Sequence, residues 1–244
     1  DNGDSVLTLC LNDNILELDK QQQEILELLL QKEFTLKTLN TVTTKKRLSA
    51  LHLAVQLGDV ELVNELLKRG CHIDLTADVD EHSALHLALK LLGYSKKNPS
   101  FDDFIKATLS HPEQSKLSLY RHSAGSLDLD QVLKNLHSPT GYQIGKEVYE
   151  AMQPKVAPNR MREIIHLLLN AGADVNQPAK LPVLGYTPLM LAIESNEYEI
   201  ARYMIDHCKG DLNKTYVDPR NGRLISAQDI IKHFKSYQCE ALLN

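Results

Sequence analysis

The chain has 244 residues, of which 43% are hydrophobic and only 5% aromatic, with no Trp and a formal charge of −5. That apolar fraction supplies a core and excludes global disorder, and the Leu-rich, aromatic-poor balance suits small helices packed by aliphatic side chains. The acidic balance excludes a general nucleic-acid binder, because neutralising phosphates needs a clustered basic face.

Residues 4–40 hold two helical segments, one with Val6, Leu7 and Cys10, the other with Ile25, Leu28 and Leu29. Together, residues 1–42 read as a worn-down first unit that caps the N-terminal end of a longer array. Residues 43–78 are the first clear unit. Leu51, Ala54 and Val55 fall at i, i+3 and i+4, which predicts a helix with one apolar face. Gly58 stands where that helix must stop, and Leu62, Val63, Leu66 and Leu67 give a second helix its own stripe, closed by Gly70.

The segment Ser49-Ala50-Leu51-His52-Leu53-Ala54-Val55 returns as Ser83-Ala84-Leu85-His86-Leu87-Ala88-Leu89, about 34 residues later. A third copy is Thr187-Pro188-Leu189-Met190-Leu191-Ala192-Ile193. The second half of the unit also returns: Glu61-Leu62-Val63, Leu66-Leu67 and Gly70 match Glu163-Ile164-Ile165, Leu168-Leu169 and Gly172.

The second and third copies stand about 104 residues apart, which is no clean multiple of the period. The expected parse is one unit, residues 79–93 and 160–177, split by an insertion at 94–159. Its first helix is expected to run to about Gly93 and its second to resume near Arg160, with Pro154 and Pro158 closing the insertion. Connections of this length are functional, disordered or structured in themselves. Phe101, Phe104, Ile105 and Leu109, then Leu129, Val132, Leu133 and Leu136, then Ile144, Val148, Tyr149 and Met152 all fall at helical spacing, so the insertion is expected to be helical. A competing parse makes 101–160 one or two degenerate repeats. Residues 178–214 form the next unit, ending in Gly210-Asp211-Leu212-Asn213. Residues 215–244 form a C-terminal cap, with 224–243 as a last helical pair.

The repeated heptapeptide resembles the T-P-L-H-x-A signature of ankyrin repeats, with Ser-Ala for Thr-Pro in two copies, and Gly172-Ala173-Asp174-Val175-Asn176 is similar to the family's ending. The resemblance implies an all-α solenoid of stacked helix-turn-helix units with hairpin loops, in which the Thr or Ser starts each first helix and His52 and His86 bond neighbouring loops. It also implies a protein–protein interaction module, an adaptor or scaffold, using the concave face of the first helices and the hairpin tips. The alternative is the substrate-targeting domain of a larger enzyme, or of an effector that an intracellular bacterium secretes to act on host proteins in the cytosol or nucleus.

Carried over position by position, the partner-binding candidates in the first clear unit are Lys45, Lys46, Leu48, Gln56 and Leu57. In the second they are Val79, Asp80, His82, Lys90 and Leu91, and in the third Leu181, Val183, Leu184, Tyr186, Glu194 and Ser195. The third hairpin, residues 178–186, is long and apolar, as an anchor for a partner would be, or equally a segment that packs against the insertion. Leu168, Asp174, Val175 and Asn176 resemble a site of asparaginyl hydroxylation. Asn213 is a weaker match; at both positions the stronger reading is that the Asn hydrogen-bonds its own hairpin backbone.

Cys10, Cys71, Cys208 and Cys239 show no CxxC spacing, so free thiols in a reducing, cytoplasmic compartment are expected rather than zinc or disulfides. His111, His122 and His137 have no metal-ligand spacing, and the chain carries no HExxH, GxSxG, P-loop or dinucleotide motif. The expectation is therefore no enzyme, no metal, no cofactor and no catalytic residue. No apolar run reaches the roughly 18 to 20 residues of a membrane span. The expected partner is another protein, met by a monomer. Nucleic acid at the Lys45–Arg47 edge is the least supported class. The chain opens on Asp1 rather than Met, as a fragment does, which leaves room for an upstream segment.

Overall fold

The computed structural model describes residues 5–11, 21, 24, 25, 28, 35–43, 47–76, 81–97, 142, 143, 146, 156–180, 185–218, 221–233 and 239–243. The chain divides into two compact units, residues 1–93 with 156–244, and residues 94–155. In the second, Tyr142, Gln143 and Lys146 are helical; the other helical residues expected of the insertion lie outside the described residues.

The larger unit contains α1 (Val6–Leu11), α2 (Leu36–Leu39), α3 (Ala50–Leu57), α4 (Val60–Lys68), α5 (Ala84–Lys97, of which residues 94–97 belong to the second unit), α6 (Pro158–Asn170), α7 (Pro188–Glu194) and α8 (Tyr198–Cys208). It closes with β1 (Thr215–Val217), β2 (Leu224–Ser226), α9 (Ala227–His233) and a 3-10 turn at Cys239–Leu243. Several of the helices start on side-chain caps, whereas α6 and α8 have none. Ser49 and Thr187 accept from the amides of His52 and Met190, and Asp59 accepts from Leu62. Each satisfies one of the donors a helix start leaves open, worth about 1 kcal/mol.

One position decides how each first helix ends. Gly58 adopts φ +69° and Asn196 adopts φ +53°, so α3 and α7 stop and the chain turns into the second helix. The equivalent residue in the middle repeat is Leu92, whose branched side chain disfavours the left-handed region by roughly 1–2 kcal/mol. Leu92 is fully buried and α5 runs on to Lys97 instead of ending near Gly93. Gly93 lets this helix pass close to the next repeat: a Cβ there would stand 2.7 Å from Ser195 Oγ.

α6 begins at Pro158, two residues before the start expected for the resumed second helix. Pro158, read from the sequence as a closing residue, is the first helical residue, where its missing N–H breaks no bond. Val156, just before it, packs over the turn at Gly58, whose lack of a Cβ makes the room.

The core consists of equivalent positions repeated. Leu51, Leu85 and Leu189 are 2%, 0% and 0% exposed, and Ala54, Ala88 and Ala192 are all fully buried. Small residues at that site let neighbouring helices approach, and the leucines then fill a continuous aliphatic core. α6 packs against both α4 and α8, and α7 against α8 and α9, so each pair buries its apolar faces on its neighbours. At the N-terminal end α1 packs on α3 through buried Leu7 and Leu11, whereas the expected stripe residues Ile25 and Leu28 are 49% and 61% exposed; Leu29 lies outside the described residues. At the C-terminal end, Leu224–Ser226 is a strand rather than part of a helical pair. It pairs antiparallel with β1, Tyr216 opposite Ile225, and Ser226 then caps α9 through Asp229.

Candidate partner-binding surface

Two sets of hydrogen bonds tie the repeats together and fix what each presents outside. In the first, a histidine bridges neighbours. His52 Nε2 donates to the carbonyl of His82 at 3.0 Å, and His86 Nε2 to that of Tyr186 at 3.2 Å. A carbonyl can only accept, so Nε2 carries the proton and Nδ1 is left to accept from the hydroxyls of Ser49 (2.7 Å) and Ser83 (2.8 Å). These buried imidazoles are thus fully engaged in joining a helix start to the next hairpin. Met190 occupies the third position and is fully buried, so that link is replaced by apolar packing.

The second set runs along the loops after the second helices. Asn40 Oδ1 accepts from His72 N–H, Asp74 Oδ1 from Asp174 N–H and Asn176 Oδ1 from Asp211 N–H, at 2.7, 2.9 and 2.8 Å. Gln228 Nε2 continues the row by donating to Asn213 Oδ1. One register of Asn or Asp therefore stitches each loop to the next, and the Asp74–Asp174 step joins residues on either side of the 94–155 segment in sequence. Only the Asn residues late in this register stand out in the sequence. The signal that marks the rest is an Asn or Asp recurring at the same place in every loop. Asp74 differs from its Asn counterparts in carrying a charge. Burial, with a smaller contribution from the nearby Asp174 charge, raises its carboxyl pKa above the usual value, and the bond from Asp174 N–H only partly offsets this.

Asn176 uses its whole amide: Nδ2 donates to the Lys209 carbonyl at 2.9 Å while Oδ1 accepts from Asp211, and its own N–H meets Asp174 Oδ1. Asn213 donates its N–H to Asp211 Oδ1. The loop at Gly70–Thr76 borders an open cavity of about 540 Å³ together with Gln177. Burial pushes the Cys71 thiol there up to about 11, so it stays protonated at neutral pH.

Of the candidates for partner contact, Lys45, Lys46, Val79, Asp80, Leu181, Val183 and Leu184 lie outside the described residues. Leu48 and His82 are only 6% and 2% exposed. Their assignment to the outer surface is corrected: each of these two residues precedes a helix cap and turns into the core. Leu48 pairs with Thr43 through its backbone, and the His82 carbonyl serves His52. Gln56, Leu57, Lys90, Leu91, Glu194 and Ser195 are all partly exposed, at two adjacent registers repeated along α3, α5 and α7.

Hairpin and helix candidates meet directly in two repeats. Lys90 Nζ lies 2.9 Å from His82 Nε2, and Tyr186 Oη donates to Glu194 Oε2 at 3.0 Å. In both cases the residue before the cap reaches the residue eight positions later. Burial, followed by the Glu194 charge, raises the Tyr186 phenol well above its ordinary value, so it remains a donor across the physiological range. Its ring meets Tyr216 edge-on, centroids 4.9 Å apart.

No group of three or more potential metal-binding side chains occurs among the described residues, and none of the described helices is long and apolar enough to cross a membrane. No curated protein matches the chain. A family model, ankyrin repeats in three copies, matches residues 15–97 and 125–224, the second stretch beginning inside the 94–155 unit. The match covers more than half of the sequence and coincides with capped helix pairs, bridging histidines and stitched loops, and the chain belongs to the ankyrin-repeat family.

Proposed function

We propose that this protein is an adaptor that holds a partner protein on the face formed by α3, α5 and α7 and on the adjoining hairpins, by rigid complementarity and without catalysis. Ankyrin repeats are in general protein–protein interaction modules. The observation that carries the reading here is the repetition of partly exposed side chains, Gln56, Lys90 and Glu194, at one register of a surface otherwise locked by buried bridges. Such a surface loses little entropy on binding, which is how modest areas reach useful affinity. In this reading residues 94–159 are an insertion that adds a second contact region, the 178–186 hairpin is an apolar anchor, and the module works as a monomer without a cofactor. The four free thiols suit a reducing compartment.

The test is quantitative capture from native lysate by the whole chain and by two variants. One carries Gln56→Ala, Lys90→Ala and Glu194→Ala together, and the other has residues 95–155 replaced by a short linker. A partner lost by the triple variant, with helicity and melting intact, supports the first-helix face. A partner retained by both variants refutes the assignment of recognition to these surfaces.

A further inference from the structure

One of the loop stitches carries a charge that its hydrogen bond does not need. Asn40 and Asn176 accept the neighbouring loop's N–H through a neutral amide, and Asp74 makes the same bond at the same register with a carboxylate. That carboxylate is partly desolvated and stands near the Asp174 charge, and both effects raise its pKa. Neither Asp74 nor Asp174 forms an ion pair with a described residue. Asp74 Oδ1 is taken by the Asp174 N–H, whereas Oδ2 accepts nothing from the described residues and is not buried.

Asp74 is also a wall of the cavity of about 540 Å³, together with Ile73, Leu75 and Gln177. Gln177 Nε2 donates to the Asp74 carbonyl at 3.0 Å, while its Oε1 is buried with no donor among the described residues. The volume falls in the range of pockets that hold a small ligand or a large side chain. Acceptors in excess, a net negative charge and aliphatic walls match a cation on an apolar stem. We propose that this cavity takes an arginine side chain of a partner protein, with its stem along Ile73 and Leu75 and its guanidinium on Asp74. Arg suits the site better than Lys because its planar fork offers donors to more than one acceptor at once. The chain's charge of −5 also favours the approach of a basic segment. The proposal rests on the reading of the chain as a protein-binding module. It adds a site on the loops after α4 and α6 that shares no residue with the α3, α5 and α7 face.

The experiment uses the whole chain and short fluorescent peptide pools that fix Arg, Lys, Gln or Glu at one position among neutral residues. Binding is followed by polarisation at low ionic strength, where charges are least screened. The Arg pool is expected to bind about tenfold tighter than the Gln pool, the range of a hydrogen bond to a charged group. Asp74→Asn keeps the acceptor for Asp174 N–H and is expected to bring the Arg pool down to the Gln pool, while the melting temperature at pH 7 does not fall. Saturating Arg peptide is expected to slow alkylation of Cys71, another wall of the cavity, and to leave Cys208 unchanged. The triple variant at Gln56, Lys90 and Glu194 is expected to keep the Arg preference, so this cavity and the first-helix face are read separately. An Arg preference that survives Asp74→Asn, disappears in the triple variant or leaves Cys71 alkylation unmoved overturns the site. Equal or absent binding of all pools also overturns it, and capture of a whole partner by the native chain but not by the triple variant then keeps the first-helix face.

Discussion

Replacing His52 by Leu isolates the contribution of a bridging imidazole. The substitution keeps an apolar side chain of similar bulk but removes the Ser49 Oγ–Nδ1 bond at 2.7 Å and the Nε2–His82 carbonyl bond at 3.0 Å. Ser49, His52 and His82 are at most 2% exposed, so water cannot replace either partner without opening the stack. An orphaned buried polar group costs about 1–3 kcal/mol. With two groups orphaned, the expected loss is about 3 kcal/mol, or roughly 6–12 °C in melting temperature for a chain of this size. Urea unfolding at constant m-value measures it. Met190→Leu at the equivalent site of the third repeat is the control, since it removes no polar bond and should lose less than about 1.5 kcal/mol. Removing the Ser49 hydroxyl together with His52 should lose less than the sum of the single changes, because one orphan disappears. If His52→Leu loses no more stability than Met190→Leu, the imidazole does not join the repeats.

Asp74→Asn keeps the acceptor for Asp174 N–H while removing a half-buried charge. A carboxyl raised in the folded state binds more protons there than in the unfolded chain, so its ionisation weakens the fold as pH rises through the window above 3.8. The variant should therefore be more stable than the native chain at pH 7, with the gain fading as pH falls below that window; a pH series of urea midpoints checks it. Gly58→Ala should destabilise more than Gly172→Ala: both glycines have positive φ, but only at Gly58 would the methyl run into Val156. Paired thermal melts decide between them. Cys71, with its thiol raised to about 11, should react with iodoacetamide at pH 8 much more slowly in the folded chain than in urea, read by peptide mass spectrometry.

The repeated Leu, Ala and His positions were legible because a helix pair that must stack on its own copy allows few residues at its seam. Leu51, Leu85 and Leu189 could be placed together from spacing alone. Burial at hairpin bases was not legible, since Leu48 is carried inward by backbone pairing across its loop and the His82 carbonyl meets the His52 imidazole, and neither leaves a periodic trace. The length of α5 was hidden too. Nothing in Leu92 announces a continuing helix until it is set beside Gly58 and Asn196, which turn. On the binding face, Lys90 and Glu194 could be named from the repeat register, but their contacts with residues eight positions earlier follow from the geometry of the helix start.

The stitch from Asp74 to Asp174 has a consequence for how the molecule assembles. In an uninterrupted array each new pair condenses on the last within a few dozen residues of synthesis. On the proposed parse, in which α5 and α6 are the two halves of one repeat, a long excursion parts them, and drawing its ends together costs about 2.5 kcal/mol more than closing a four-residue turn if the excursion behaves as a free chain. A nascent chain that has emerged only as far as α5 therefore has no second helix to cover Leu85 and Leu89. On that parse, growth of the solenoid is expected to pause there until α6 arrives.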